Sequence, residues 1–247
     1  MLNNIYNMDC LEGMKNIPDK SIDMILCDLP YGTTNNKWDS VIPLEKLWEQ
    51  YERIIKGNGV IALFAQCPFD KVLGYSNLKL LRYEWIVEKT KATGHLNAKK
   101  TPMKAHENIL IFYKNKPIYN PQMTEGHKPT NSYTKHTTDG TCYGKTKVGI
   151  KGGGNTSRYP RDVLKFKWDT QKSSLHPTQK PILLLEYLIK TYTNENEVVL
   201  DNCIGSGSTA IACINTNRNF IGYELDKDYF DIACKRIREH KEGIKDI

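Results

Sequence analysis

Val198-Val199-Leu200-Asp201-Asn202-Cys203-Ile204-Gly205-Ser206-Gly207-Ser208-Thr209-Ala210 decides how this chain folds. An apolar β-branched run ends in an acid, a glycine-rich turn follows, and Thr209-Ala210-Ile211-Ala212-Cys213 reads as the start of a helix. Glycine lets the backbone approach a ligand closely, and the N–H groups of a helix N-terminus then face it. The next apolar run, Phe220-Ile221-Gly222-Tyr223, ends in Glu224. An acid at that strand tip can accept both ribose hydroxyls of an adenosine-type cofactor. Gly205 and Gly207 alone fit any tight turn. The full order of strand, glycine turn, helix, strand and acid points to an open α/β sheet with a nucleotide-type site.

A second strand tip carries a different set of groups. Ile22-Asp23-Met24-Ile25-Leu26-Cys27 reads as a buried strand, and Asp28-Leu29-Pro30-Tyr31 follows it. Pro30 fixes its own φ and biases Leu29 away from the helical region. The Asp28 carboxylate and the Leu29 carbonyl are thereby held in an extended corner with Tyr31 beside them. Two acceptors next to an aromatic face suit a planar group bearing an NH2, such as an adenine edge. Taken alone, the tetrapeptide also fits an ordinary strand-to-loop turn.

These segments resemble the β-group of the amino-methyltransferase family of DNA methyltransferases. Asp28-Leu29-Pro30-Tyr31 is similar to the family's D-P-P-Y catalytic motif, and Asp201 through Thr209 to its D-P-F-x-G-S-G-T cofactor motif. His176-Pro177-Thr178-Gln179-Lys180-Pro181 is similar to the segment that precedes the cofactor motif when the catalytic motif comes first in the chain. The resemblance covers nearly the whole chain apart from roughly residues 115–170. Leu29 stands where the family has proline, with its carbonyl still available, and Asn202-Cys203-Ile204 stands for P-F-x.

The resemblance implies a Rossmann-like S-adenosylmethionine (AdoMet)-dependent methyltransferase fold: a mostly parallel seven-stranded sheet, helices on both faces and an inserted recognition region. It implies catalytic roles for Asp28, Leu29, Pro30 and Tyr31. AdoMet would be bound by Asp9, Cys10, Asp28, Lys180, Asp201, Cys203, Gly205, Ser206, Gly207, Ser208, Thr209, Glu224 and Leu225. The methyl group would pass directly to the N6 amine of a flipped-out adenine, with no covalent enzyme intermediate and no metal. N4-cytosine is the alternative target. In the family a serine is commoner at the first motif position for cytosine, so Asp28 favours adenine.

Composition agrees with an acidic partner. The chain has 247 residues and a net charge of +7. Between Lys114 and Lys172 twelve Lys/Arg face four acids (Glu125, Asp139, Asp162, Asp169), interspersed with Tyr119, Tyr133, Tyr143, Tyr159, Phe166 and Trp168. Basic groups among aromatics suit a phosphate backbone and unstacked bases, although a solvated loop would have a similar composition. Candidate DNA contacts are Lys91, Lys99, Lys100, Lys145, Lys147, Lys151 and Arg158. The expected organisation is a catalytic half over 1–113, the insertion over 114–172 and a cofactor half over 173–247. Double-stranded DNA is the expected partner, and a homodimer is an option.

Seven cysteines occur without a C-x-x-C pair or a histidine cluster, which argues against zinc and for free thiols in a reducing compartment. Met1-Leu2-Asn3-Asn4 does not read as a signal peptide, no apolar run is long enough to span a membrane, and a cytoplasmic location is expected. Strands are expected at 4–8, 22–27, 60–64, 83–87 and 108–113, besides those at 198–201 and 220–223. Helices are expected at 10–16, 44–56, 69–78, 181–192 and 226–240, with Gly57-Asn58-Gly59 ending the second. A rival enzyme class remains: Gly205-x-Gly207-x-x-Ala210, with Glu224 nineteen residues after Gly205, also fits a nicotinamide oxidoreductase. That reading leaves Asp28–Tyr31 and His176–Pro181 unexplained. An RNA or protein-amide methyltransferase would keep the same sheet, and a non-catalytic DNA-binding module would not need the tetrapeptide.

Overall fold

The fold is that of a computed structural model that describes residues 1–32, 41–134, 149–166 and 180–245. In chain order the elements are β1 (Asn4–Asn7), α1 (Cys10–Met14), β2 (Ile22–Asp28), α2 (Leu44–Ile54), β3 (Ile55–Ala65), α3 (Phe69–Ser76), β4 (Leu81–Thr93) and β5 (Lys104–Phe112). There follow β6 (Tyr133–Thr134), β7 (Lys151–Gly152), β8 (Val163–Lys165), α4 (Ile182–Tyr192), β9 (Val198–Asp201), α5 (Ser208–Asn215), β10 (Asn219–Glu224) and α6 (Lys227–Lys245). The main sheet runs β1-β10-β9-β2-β3-β5-β4-β8. It is an α/β fold with a mostly parallel sheet. The short edge strand β8 makes eight strands among the described residues rather than the seven expected.

Why β2 is apolar from Met24 to Cys27 is clear from its two faces. Ile25 and Cys27 pack with Met14, Leu47, Tyr51, Phe69 and Leu73 from α1, α2 and α3. Met24 and Leu26 point the other way, toward Leu184, Leu188, Ala210 and Cys213 from α4 and α5. A strand covered on both sides has no polar face to alternate with. β9 shares this pattern, with Leu200 in the first cluster and Val199 in the second.

The parallel pattern breaks at β5, which runs antiparallel to both β3 and β4. β4 and β5 are joined by ten residues containing only a short turn at His95–Asn97. A parallel return needs a crossover of a dozen or more residues, so a short link forces the antiparallel partner. As a consequence, the first half of β5 lies at the carboxyl edge of β2 and β3, with Asn108 opposite Ala65.

Gly57-Asn58-Gly59 does not separate helix from strand as expected. α2 ends at Ile54, and the strand starts at once, with Ile55 opposite Ile22. The register then jumps to Met24 opposite Val60, so the glycines sit within an irregularity of β3. A Cβ at Gly59 would stand 2.9 Å from the Asp23 carbonyl oxygen and 2.8 Å from the Ile55 side chain, which accounts for the glycine there. β4 and β5 are also longer than their apolar cores, because polar residues extend their ladders (Glu88 opposite His106, Thr93 opposite Lys104).

The chain divides into two compact units, Met1–Asn120 with Asp162–Ile247, and Pro121–Arg161. The second contains the β6–β7 ladder, in which Tyr133 pairs with Gly152 and Thr134 with Lys151, and a bridge between Thr124 and Arg158. The insertion drawn at 114–172 from composition thus includes residues of both units, with Val163–Lys165 paired to β4 in the main sheet.

Candidate active site

Parallel strands deliver their last residues to one edge, and here three neighbouring strands each deliver an acid: Glu224 from β10, Asp201 from β9 and Asp28 from β2. Asn7, which ends β1, pairs in register with Glu224. Asp9 comes next and caps α1, its Oδ1 accepting from the backbone N–H groups of Leu11 (2.8 Å) and Glu12 (3.1 Å).

On the β9–β10 side the loop is held by hydrogen bonds, most of them from backbone N–H groups or a hydroxyl, and by glycine. Gly205 and Gly207 have φ of +53° and +85°, and Gly207 directly precedes α5. A Cβ at Gly207 would stand 3.2 Å from that of Ala233. The Gly205 N–H donates to Glu224 Oε2 at 2.8 Å, and the Asp226 N–H to Oε1 at 2.9 Å. Burial raises the Glu224 pKa, and those backbone donors oppose the rise. Asp201 lies beneath the loop, accepting from Thr209 Oγ1 (2.6 Å) and from the Cys203 N–H (3.1 Å). Burial pushes its pKa up to about 6, against the pull of those two bonds.

The side chains of Ser206, Ser208 and Thr209 are buried. Thr209 serves Asp201, and Arg236 of α6 donates to the Ser206 carbonyl (2.5 Å) and Oγ (2.8 Å). What this loop presents outward is backbone. Asn202 is buried and accepts from the Tyr51 hydroxyl at 2.5 Å, while its Nδ2 lies 3.6 Å from Cys10 Sγ and 3.5 Å from Cys203 Sγ. Leu225 is 68% exposed at the rim.

On the β2 side the groups are charged. Tyr31 donates its hydroxyl to Asp28 Oδ1 at 2.7 Å, and its ring stacks on Phe69 at 5.2 Å between centroids. Burial, followed by the Asp28 and Glu107 charges, holds the Tyr31 phenol well above its ordinary pKa. The Leu29 side chain is buried, which anchors the corner. Lys180 donates to Asp28 Oδ2 at 2.5 Å. Its ammonium also stands 3.5 Å from Glu107 Oε2 and 4.9 Å from the centre of the Phe64 ring. Burial works against the Lys180 charge, but the Asp28 and Glu107 carboxylates outweigh it and raise the pKa.

Of this charged group Glu107 escapes a reading of the sequence, and Lys89 is legible there only as the start of a basic segment, Lys89 to Lys100, expected to line the DNA groove. Glu107 is 3% exposed, and Lys89 turns inward from β4 to stand 3.8 Å from its Oε2. The available signal was Glu107 preceding the apolar run Ile109–Phe112, the mirror image of Asp28 following one. Only the antiparallel direction of β5 turns that end of the strand toward Asp28. Lys180, expected at the cofactor, has Asp28 as its nearest partner. The motif residues His176 to Gln179 lie outside the described residues.

Of the expected DNA contacts, Lys91, Lys99, Lys100 and Lys151 are exposed. Arg158 donates to the carbonyls of Asn155, Ser157 and Lys128, so its guanidinium braces its own unit. Lys145 and Lys147 lie outside the described residues. Among the described residues no group of three or more His, Cys, Asp or Glu could hold a metal ion, and no helix is long and apolar enough to cross a membrane.

With this geometry in place, comparison with known proteins is informative. A family model described as DNA methylase, of the N6/N4 methyltransferases, matches residues 22–235. The type II methyltransferase M.BglII of Bacillus subtilis is 31% identical over 94% of this chain and 68% of its own length. The DNA adenine methyltransferase YhdJ of Escherichia coli K12 is 26% identical over 94% of this chain and 82% of its own. Among solved structures, the complex of M1.HpyAVI with S-adenosylmethionine (SAM) superposes with a TM-score of 0.64 at 26% identity, covering 94% of this chain and 98% of that one. The chain belongs to the N6/N4 DNA methylase family. The matched span includes Asp28–Tyr31 and the glycine loop together, which the nicotinamide oxidoreductase reading leaves apart.

Proposed function

We propose that this DNA methyltransferase moves the methyl group of AdoMet to the N6 amine of an adenine flipped out of double-stranded DNA. One observation carries the reading. The Asp28 carboxylate, beside Tyr31, stands on the same sheet edge as the Gly205–Gly207 turn and Glu224, where an α/β sheet binds its ligands. Several features of the turn fit AdoMet. Left-handed glycines bring the backbone close, and Glu224 already has two backbone donors that fix its orientation for ribose hydroxyls. Asp9 and Cys10 lie past the adjoining end of β1. When bound, AdoMet supplies a methyl group activated on a sulfonium.

The chain's own residues then do the following. An exocyclic NH2 shares its lone pair with the ring and is a poor nucleophile. Asp28 and the Leu29 carbonyl accept its two hydrogens and favour a tetrahedral nitrogen, whose lone pair points at the methyl group. As the N–C bond forms, the methyl–sulfur bond would break and its electron pair leave with the sulfur as a neutral thioether; the nitrogen releases one proton, and the Asp28 carboxylate stands where it can receive it. The target atom is inaccessible within a duplex, so the base must leave the stack, and the Tyr31 ring offers it a stacking partner. DNA would be held by Lys91, Lys99, Lys100, Lys145, Lys147 and Lys151, with the Pro121–Arg161 unit part of the recognition region. The working compartment on this reading is the cytoplasm.

Cytosine N4 is the second reading, because the matched family includes both amines. Long-read sequencing of DNA from cells expressing the protein separates the two. N6-methyladenine in one recurring context is expected, and N4-methylcytosine there would transfer the same mechanism to cytosine. For the recognition region, replacing Lys145, Lys147 and Lys151 by Ala should flatten the salt dependence of DNA binding, by about 0.9 in log–log slope per lost phosphate contact, with AdoMet affinity untouched. An unchanged slope would show these lysines to be merely solvated.

A further inference from the structure

We infer that Glu107 is a positioning residue for methyl transfer: by sharing the Lys180 ammonium with Asp28, it keeps the Asp28 carboxylate able to accept the target amine. The inference rests on the reading of Asp28 as that acceptor. A carboxylate 3% exposed needs cations close by, and Glu107 has two, Lys180 at 3.5 Å and Lys89 at 3.8 Å. Lys180 is itself only 10% exposed and contacts Asp28 at 2.5 Å. Two largely buried lysines and two acids thus form one neutral set, linked through Lys180. The set does not close on itself, because Glu107 Oε1 has no hydrogen-bond partner among the described residues. Buried polar atoms are nearly always paired, so an orphaned carboxylate oxygen beside a strand-end acid calls for a functional explanation.

Competition at Asp28 supplies one. Its Oδ1 already accepts from the Tyr31 hydroxyl and its Oδ2 from Lys180. An ammonium is a far stronger donor than an aromatic amine. Were Lys180 committed to Asp28 alone, the target NH2 would meet a carboxylate whose charge is already claimed. Glu107 offers Lys180 a second acceptor on the other side. As the amine approaches Oδ2, Lys180 can shift toward Glu107, whose Oε1 still has lone pairs to give. Without the Glu107 charge, Lys180 and Lys89 would have Asp28 as the one acid of the set left between them.

The test compares Glu107→Gln, Glu107→Asp, Lys180→Met, the Glu107→Gln/Lys180→Met double variant and Glu107→Gln/Lys89→Met, each in the full chain. The readouts are single-turnover transfer of a tritiated methyl group to duplex DNA, AdoMet affinity by calorimetry, and melting temperature. Glu107→Gln should slow transfer about tenfold or more while leaving AdoMet affinity unchanged. Its effect should vanish in the Lys180→Met background, because the two act as one unit. Glu107→Asp, which keeps the charge, should recover much of the rate, and Lys89→Met should partly rescue Glu107→Gln by restoring neutrality. Wild-type transfer by Glu107→Gln, or losses that multiply in the double variant, would overturn the inference. Asp28→Ala in the same series keeps the two readings apart. If it stays active, the assignment of Asp28 has failed. If it is inactive while Glu107→Gln matches wild type, only the role of Glu107 has.

Discussion

The β9–α5 loop and the β2 corner lie on one sheet edge, yet they hold their shapes by different means. The loop relies on backbone: glycine φ angles, an N–H on each Glu224 oxygen, and the buried Asp201–Thr209 bond beneath. The corner relies on charge, with Asp28, Lys180, Glu107 and Lys89 gathered from four distant parts of the chain. The first arrangement suits a task of fixed shape, holding a cofactor that always presents the same face. The second suits a task in which charge is redistributed, because a buried ion cluster responds strongly to any group that joins or leaves it. Changes in the loop should therefore appear in binding, and changes in the corner in rate.

Asp28→Ala offers the largest contrast. Methyl transfer should fall by about two to three orders of magnitude or more, the scale of losing a preorganised transition-state partner, with a much smaller change in AdoMet affinity. A comparable loss in both readouts would erase the division between the two regions. Glu224→Ala should behave in the opposite way. AdoMet binding should weaken by about 1.5–3 kcal/mol per charge-assisted bond lost, with transfer at saturating AdoMet largely kept. Calorimetry and single-turnover rates on the two variants give the crossed pattern or refute it.

A smaller effect is expected at Tyr31, where charge and shape meet. Tyr31→Ala should lose about 1–3 kcal/mol of base stacking, and less on a duplex whose target base is mismatched, since flipping then costs less. Tyr31→Phe keeps the ring and should retain substantial activity. If it proves as damaged as Tyr31→Ala, the bond to Asp28 outweighs the stacking face.

The smallest effect concerns pH and stability. Folded Asp201 titrates near 6, above the ordinary carboxylate value of 3.8, because burial disfavours its charge. The folded state therefore holds this proton more tightly than the unfolded chain does. The stability so contributed is fully present below about pH 4 and is lost as pH rises through about 6. Asp201→Asn removes that titration. The melting temperature of wild type relative to the variant should thus decline between about pH 4 and 6 and then level off. A flat difference would mean that the Thr209 and Cys203 hydrogen bonds offset the burial.

Much of this was legible from the sequence because it is local. The glycine turn, its helix and Glu224 lie within 27 residues (198–224), and a turn that needs positive φ writes glycine into the chain wherever it occurs. Asp28–Tyr31 was legible for the same reason, a strand end followed by a residue that fixes its own φ. The apolar runs of β2 and β9 marked a sheet covered on both sides, and the acids after them marked its ligand-binding edge. Pairing between strands is a long-range choice and left weaker traces. The short link between β4 and β5 turned β5 around and brought Glu107 to the edge that carries Asp28, while β8 joined the sheet from within a stretch whose composition read as insertion. Lys180 stood in a recognisable motif, but its partner Asp28 lies 152 positions earlier. Sequence by itself determined the local backbone shapes and the chemical identity of both strand tips. Only the tertiary structure decided which buried charges meet, because the attraction between two ions depends on their distance in space and on the water excluded between them, and neither is encoded in their spacing along the chain.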